Sequence, residues 1–218
     1  MKPRFSGLQG HFFPFFISIL LLSTIYPFFL HSDLGIILLH ILIICALMAG
    51  INLIKFKRTI LLLGGSLGVI DIFLTVLSFQ CEQVWGLQLS WHIGILTFYF
   101  WLTGYLLVLV AQSQRISLDT ILGAVSGYLT LAIAWAMLFS LIEFLEPDSF
   151  QLPPGSVPSP DLFIYFSQIT IAGVGYGDII PLTPLARSAA ALLGMFGQLY
   201  LVVLLGILIG IYLTQPKS

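Results

Sequence analysis

The run Ala172-Gly173-Val174-Gly175-Tyr176-Gly177-Asp178 decides how this chain is read. A row of backbone carbonyls can strip water from a cation and take the place of its hydration shell. To aim successive carbonyls at one axis, residues must alternate between ordinary and left-handed conformations, and only Gly enters the second cheaply. Gly stands at 173, 175 and 177, with Val174 and Tyr176 between. The spacing alone is weak, since 20 glycines in 218 residues produce it by chance. Its setting strengthens it: a short amphipathic apolar segment (162–172) precedes the run and a long apolar one (185–213) follows.

Composition sets the class independently. Hydrophobic residues make up 59% of the chain and charged residues 8%, with a mean hydropathy of +1.08. Soluble domains carry about 25% charged residues, and no aqueous globule could hide this much apolar surface. The chain reads as an all-α integral membrane protein. At about 20 apolar residues per crossing, it parses into six spans: 11–30, 34–54, 59–79, 92–112, 120–144 and 185–213. Segment 162–172 is too short to cross and fits a re-entrant helix. The first span follows Lys2 and Arg4 as a signal peptide would, but Phe28-Phe29-Leu30-His31 is a poor cleavage site, so a retained span is expected.

If the spans alternate, Lys2, Arg4, Lys55, Lys57, Arg58, Arg115 and Lys217 share one side, which the positive-inside rule makes cytoplasmic, with both termini there. Only Arg187 falls outside. Asp33, Glu82, Glu146, Asp148, Asp161 and Asp178 land outside too; solubility of the loops explains most of them, and an acidic mouth would also concentrate cations.

Residues 161–213 resemble the pore domain of tetrameric potassium channels: a pore helix, a Gly-Tyr-Gly-Asp filter, a Pro-x-Thr-x-x-x-Arg exit (Pro181, Thr183, Arg187) and a glycine-bearing inner helix. With the outer helix at about 120–144 the resemblance covers nearly half the chain. Gly197-Gln198-Leu199-Tyr200-Leu201 also resembles the inner helix of small bacterial six-span channel-like proteins without a soluble domain. The organisation implied is a front half of four spans (1–112), a short linker from Ser113 to Asp119, and a pore domain within 113–218. One filter per chain supplies one quarter of a fourfold ring, so a homotetramer in the cell (inner) membrane is expected.

The resemblance implies potassium ions at the carbonyls of Gly173, Val174, Gly175 and Tyr176, with Gly177 closing the filter. It places Tyr165 where an aromatic donor supports the filter aspartate, Asp178, thirteen residues on. The other reading is an aromatic cuff formed with Phe166. Gly197, twenty residues after Gly177, matches the hinge position of the inner helix; dense packing is the other reading of that glycine. One departure stands out. The residue before Val-Gly-Tyr-Gly is usually Thr, whose hydroxyl completes the innermost ion site, whereas here it is Gly173, preceded by Ala172. Nine residues before Asp178, where some channels carry a buried acid, stands Ile169.

Six spans also resemble the voltage-gated arrangement, but a voltage sensor needs several basic charges in the fourth span, each worth about 2.3 kcal/mol per 100 mV. Residues 92–112 hold no Lys or Arg, so steep voltage dependence is not expected. In the front half, Asp71 and His40 are intramembrane polar residues, each readable as a structural hydrogen-bonder or as a functional site. Gly64 and Gly68 offer close helix contact. Cys45 is expected to be a small buried residue and Cys81 to be free, without a disulfide between them. Asp161 can cap the pore helix. The segment from Gln151 to Pro160, with four prolines, is an outer turret. Nothing arranges a nucleophile with a base or metal ligands at usable spacing, so no enzyme, cofactor or nucleic-acid partner is expected, only lipid and the permeant K+. The chain ends soon after the inner helix, which implies no ligand-binding gating domain.

Overall fold

The computed structural model describes residues 12–24, 41, 45, 48, 58–81, 83–113 and 116–214. In chain order these form α1 (Phe12–Thr24), α2 (Arg58–Gln80), α3 (Trp85–Ala111), α4 (Leu118–Leu145), β1 (Phe150–Gln151), α5 (Pro160–Ile171), β2 (Ile180–Pro181) and α6 (Pro184–Thr214). Among the described residues, three helices are long and apolar enough to cross a membrane: Trp85–Ala111, Leu118–Leu145 and Pro184–Leu213. Two shorter apolar helices, Phe12–Thr24 and Leu62–Ser78, accompany them. The expected span at 34–54 with His40, the first span beyond Thr24, and Lys2, Arg4, Asp33, Lys55, Lys57, Glu82, Arg115 and Lys217 lie outside the described residues, apart from three isolated helical positions at 41, 45 and 48.

Helix boundaries follow local chemistry. α4 begins at a capping box in which Ser117 Oγ accepts from the Thr120 amide at 3.2 Å and Thr120 Oγ1 accepts from the Ser117 amide at 3.4 Å. It stops at Leu145, two residues short of Pro147, because Pro cannot continue a helical ladder. At the head of α6, Thr183 Oγ1 accepts from the Ala186 amide at 3.3 Å, satisfying one otherwise orphaned donor.

The second long helix, α4, is the centre of the molecule. It packs against α1, α3, α5 and α6, and Ala132, Ile133, Ala134, Ala136, Met137 and Phe139 along it are almost fully buried. Small residues let neighbours approach: a Cβ on Gly123 would meet the Phe12 ring of α1 at 3.0 Å. At the turret end, Phe139, Phe150, Phe163 and Phe166 interlock with ring centroids 5.0 to 5.6 Å apart. Tilted and edge-on pairs of this kind add to area burial, and they bind the short α5 to α4 and to the turret strand.

Several expectations are corrected. The fold is mostly helical as expected, with one small addition: β1 and β2 form a short antiparallel ladder, Phe150 opposite Pro181 and Gln151 opposite Ile180. The turret and the exit segment run side by side there, and pairing satisfies backbone groups that no helix can. The helix expected as the fourth span begins at Trp85 rather than His92, since Gly86-Leu87-Gln88-Leu89-Ser90 continues it without a breaker. Asp161 does not cap α5; Ser159 occupies the cap position, Pro160 takes the first helical position that suits its fixed φ, and Asp161 lies buried in the first turn. Cys45 is exposed, not buried, and free, as is Cys81. A thiol is apolar enough to face outward from a membrane helix at little cost.

In the front half, Gly64 and Gly68 of α2 are both buried. Asp71, one turn further on, is 1% exposed, and a Cβ on Gly94 of α3 would collide with its Oδ1. Thr75 donates to the Asp71 backbone carbonyl at 2.7 Å rather than to its carboxyl group, and accepts in turn from Trp91 Nε1 at 3.1 Å. α3 and α4 are joined at the turret end by His92, whose Nε2 is 3.1 Å from the Ser140 hydroxyl.

Candidate ion-conduction site

The site is assembled where α5 ends. At 12 residues α5 is too short to cross a bilayer. It is anchored sideways: Ser167, fully buried, donates from its hydroxyl to the Ala132 carbonyl of α4. At its C-terminus the carbonyl of Gln168 accepts from the Ala172 amide at 3.1 Å. The next turn tightens, with the Gly173 amide donating to Thr170 O at 3.1 Å. Ile169 O then accepts from the amides of both Val174 and Gly175, at 2.9 and 3.2 Å. Position 169 thus contributes its carbonyl at the place where an acidic side chain is absent.

From Gly173 onward the backbone alternates. Gly173, Gly175 and Gly177 have φ of 73°, 55° and 77°, in the left-handed region. Val174 and Tyr176 between them are not among the residues with positive φ. This is the conformation a side chain disfavours and Gly does not. Val174 and Tyr176 are exposed in the single chain, at 52% and 72%. Past the run, Tyr165 Oη donates to Asp178 Oδ2 at 2.7 Å, joining α5 to the far end of the segment. Desolvation first, then the hydrogen bond and the charge of Asp178, push the Tyr165 hydroxyl up to about 12. It therefore stays a donor throughout the neutral range.

The exit is pinned in part by a group that sequence reading passed over, Glu143. Glu143, near the end of α4 and buried, accepts from the Asp148 amide through Oε1 at 3.0 Å and from the Phe150 amide through Oε2 at 3.1 Å. Asp148 itself has a φ of 64°, a strained value for a non-Gly residue that this carboxylate helps to hold. Ser149 O accepts from the Leu182 amide at 2.8 Å, and Arg187 Nε donates to Pro181 O at 3.2 Å. The signal for Glu143 was an acid inside an apolar span four residues before Pro147.

Below the run, α6 presses on the pore helix. A Cβ on Gly197 would sit 2.5 Å from Ile171 Cγ1 and 2.6 Å from Ile171 O. The same Ile171 carbonyl accepts from Tyr128 Oη of α4 at 3.1 Å. Tyr200, one turn beyond Gly197, donates to Ala124 O at 2.7 Å and lies against Gly127, whose missing side chain leaves it room. Of the two readings of Gly197, the structure displays close contact. By contrast, Gly194 and Gly206 have nothing within 4 Å of a would-be Cβ.

The sequence-selected residues Gly173, Val174, Gly175, Tyr176, Gly177, Asp178 and Tyr165 are therefore contiguous in space, and Gly197 supports them from behind through Ile171. Asp71 lies in the α2–α3 interface, away from this constellation. Among the described residues no group of three or more His, Cys, Asp or Glu side chains could hold a metal ion. What the arrangement presents is a short backbone run with glycines in the left-handed region at every second position.

Comparison with known proteins agrees with this geometry. Residues 127–214 match the family model described as Ion channel. Protein LctB of Bacillus caldotenax is 31% identical over 80 residues, an alignment covering 34% of this chain and 60% of that protein. The chain thus spans less than two thirds of the length of this curated relative. No solved structure matches. Residues 127–214 of this membrane protein are thus similar to an ion channel family.

Proposed function

We propose that four copies of this chain surround one axis and pass potassium ions down their electrochemical gradient, with the carbonyls of Gly173, Val174, Gly175 and Tyr176 as successive ion ligands. The observation that carries this reading is the alternation of left-handed glycines at 173, 175 and 177, tied at the far end by Tyr165 and Asp178. Carbonyl rings of this kind replace hydration oxygens, and a single chain supplies one quarter of each ring. The exposure of Val174 and Tyr176 in the single chain is what a surface covered by neighbouring copies requires. The excess of Lys and Arg on the N-terminal side supports a cell-membrane location with both termini cytoplasmic. The absence of Lys and Arg from α3 supports shallow voltage dependence.

The test is reconstitution in liposomes or planar bilayers and measurement of the reversal potential with potassium on one side and sodium on the other. A reversal displaced toward the potassium equilibrium potential supports the reading. A reversal near zero would favour a weakly selective cation channel, the alternative that Gly173 and Ala172, with no hydroxyl to offer, support. No current in well-assembled protein would favour a non-conducting membrane subunit that keeps the pore architecture.

A further inference from the structure

An inner helix embedded in lipid has no reason to carry an unpaired carboxamide. From Ala189 to Ile211, α6 holds two polar side chains, Gln198 and Tyr200. Tyr200 is accounted for, since it is buried and donates to Ala124 O. Gln198 is exposed in the single chain and has no hydrogen-bond partner among the described residues. A polar group at such depth faces a water-filled cavity or the interior of a bundle, because hydrocarbon leaves it unsatisfied.

Its position says which. Gly197 is wedged against Ile171 at the end of the pore helix, so the next residue is turned by one helical step toward the start of the carbonyl file. The Gln198 carboxamide nitrogen lies 3.6 Å from the point where a Cβ of Gly173 would be. That is the end of the file where Ala172 and Gly173 offer no side-chain oxygen, and where the φ of 73° at Gly173 strains any residue that could. A cation entering from this side leaves cavity water before it reaches the first carbonyl.

We propose that the carboxamide of Gln198 supplies the missing polar contact at the inner mouth of the filter, as a ring of neutral dipoles that holds the entering, partly hydrated cation. A carboxamide carries an acceptor oxygen for the ion and two N–H donors for its remaining water or for neighbouring carbonyls. Because it hangs from α6 rather than from the filter backbone, it leaves the left-handed conformation of Gly173 undisturbed. The inference rests on the proposed conduction path but concerns a different residue from those that would set selectivity.

The test compares internal barium block of the full-length wild type with that of Gln198→Leu, Gln198→Asn and Gln198→Glu in planar bilayers, with external barium as the reference. Gln198→Leu should weaken internal block by about tenfold, the lower end of what a contact to a charged group is worth. Gln198→Glu should tighten it by a similar factor, Gln198→Asn should fall between wild type and Gln198→Leu, and external block should hold within about twofold throughout. Gln198→Glu and Gln198→Asn keep the question answerable should the apolar variant fail to assemble. Internal block unchanged within about twofold in all variants, where a dipole contact predicts more, would overturn the assignment of Gln198 whatever the wild-type selectivity. A wild type without potassium preference would instead remove the potassium reading and leave the Gln198 comparison to be decided on its own block data.

Discussion

Tyr165 on α5 and Asp178, thirteen positions further on, are joined by a 2.7 Å hydrogen bond, hydroxyl to carboxylate, that closes a loop. The loop contains the left-handed glycines 173, 175 and 177. Its geometry is held from one end by the hydrogen bonds of the α5 terminus and from the other by this contact. Replacing Tyr165 with Phe removes the donor and leaves the ring in place. We expect a loss of about 1 kcal/mol per chain, the usual net value of such a bond, read as a lower thermal midpoint of the assembled protein. A reduced potassium-to-sodium permeability ratio should accompany it.

The same pair predicts a pH effect. The Tyr165 hydroxyl is raised from 10.0 to about 12 in the folded protein. A group whose folded value is raised contributes stability that is fully present below its unfolded value and is lost as pH climbs through the folded one. The wild type should therefore lose its advantage over Tyr165→Phe between about pH 10 and pH 12. Thermal midpoints of the two proteins, followed across that window, should converge; a constant difference would contradict the assignment.

Gly173 decides a second comparison. Introducing Thr there would place a hydroxyl at the inner end of the file, but the φ of 73° at this position is one a β-branched residue resists. The strain is about 1 kcal/mol or more per chain, multiplied over every copy in an assembly. Gly173→Thr and Gly173→Ala should both yield less assembled oligomer on size exclusion after mild heating. A Thr variant more stable than the Ala variant, with tighter internal barium block, would show that the hydroxyl outweighs the strain.

Gly197 and Gly206 lie on the same helix and should respond in opposite ways. Ala at 197 drives a methyl group into Ile171, including its backbone oxygen at 2.6 Å, and backbone cannot yield as a side chain would. The cost expected for such overpacking is about 1–3 kcal/mol. Gly206→Ala meets nothing within 4 Å and gains helix propensity. Thermal stability of the two single variants separates close contact from hinge: a destabilised Gly197→Ala with altered gating in Gly206→Ala would move the hinge down the helix.

Glu143 offers a fourth test. As a carboxylate it accepts from two backbone amides at once. In Glu143→Gln one of those amides faces an NH2 group instead of an oxygen, a loss of about 1–3 kcal/mol for an unsatisfied buried donor. Limited proteolysis of the segment between Glu146 and Ser159 should accelerate, while the helices on either side stay protected. Equal cleavage rates in both proteins would show that the ladder and Pro147 hold the turret without Glu143.

The membrane class, the left-handed glycines and their companions Tyr165 and Asp178 were legible in the chain because each rests on local chemistry. Hydropathy reports lipid contact residue by residue, and alternating Gly reports φ without reference to anything distant. The limits of α3 and α5 were less legible, since a helix end depends on whether the next residues find partners, as Ser159 and Gly86 illustrate. Other matters became visible only in the tertiary structure. Gly173 could have been a loosened site or an enforced left turn, and its φ answers that question. Gly197 is a hinge candidate in the chain, and only the fold shows that it also lies against Ile171. Glu143 and Gln198 read as one more acid and one more amide in apolar runs. What they face lies across the fold: two backbone amides in the turret for the first, and Gly173 for the second. Hydrogen bonds and close packing act over a few ångströms in space, and a sequence records only distance along the chain.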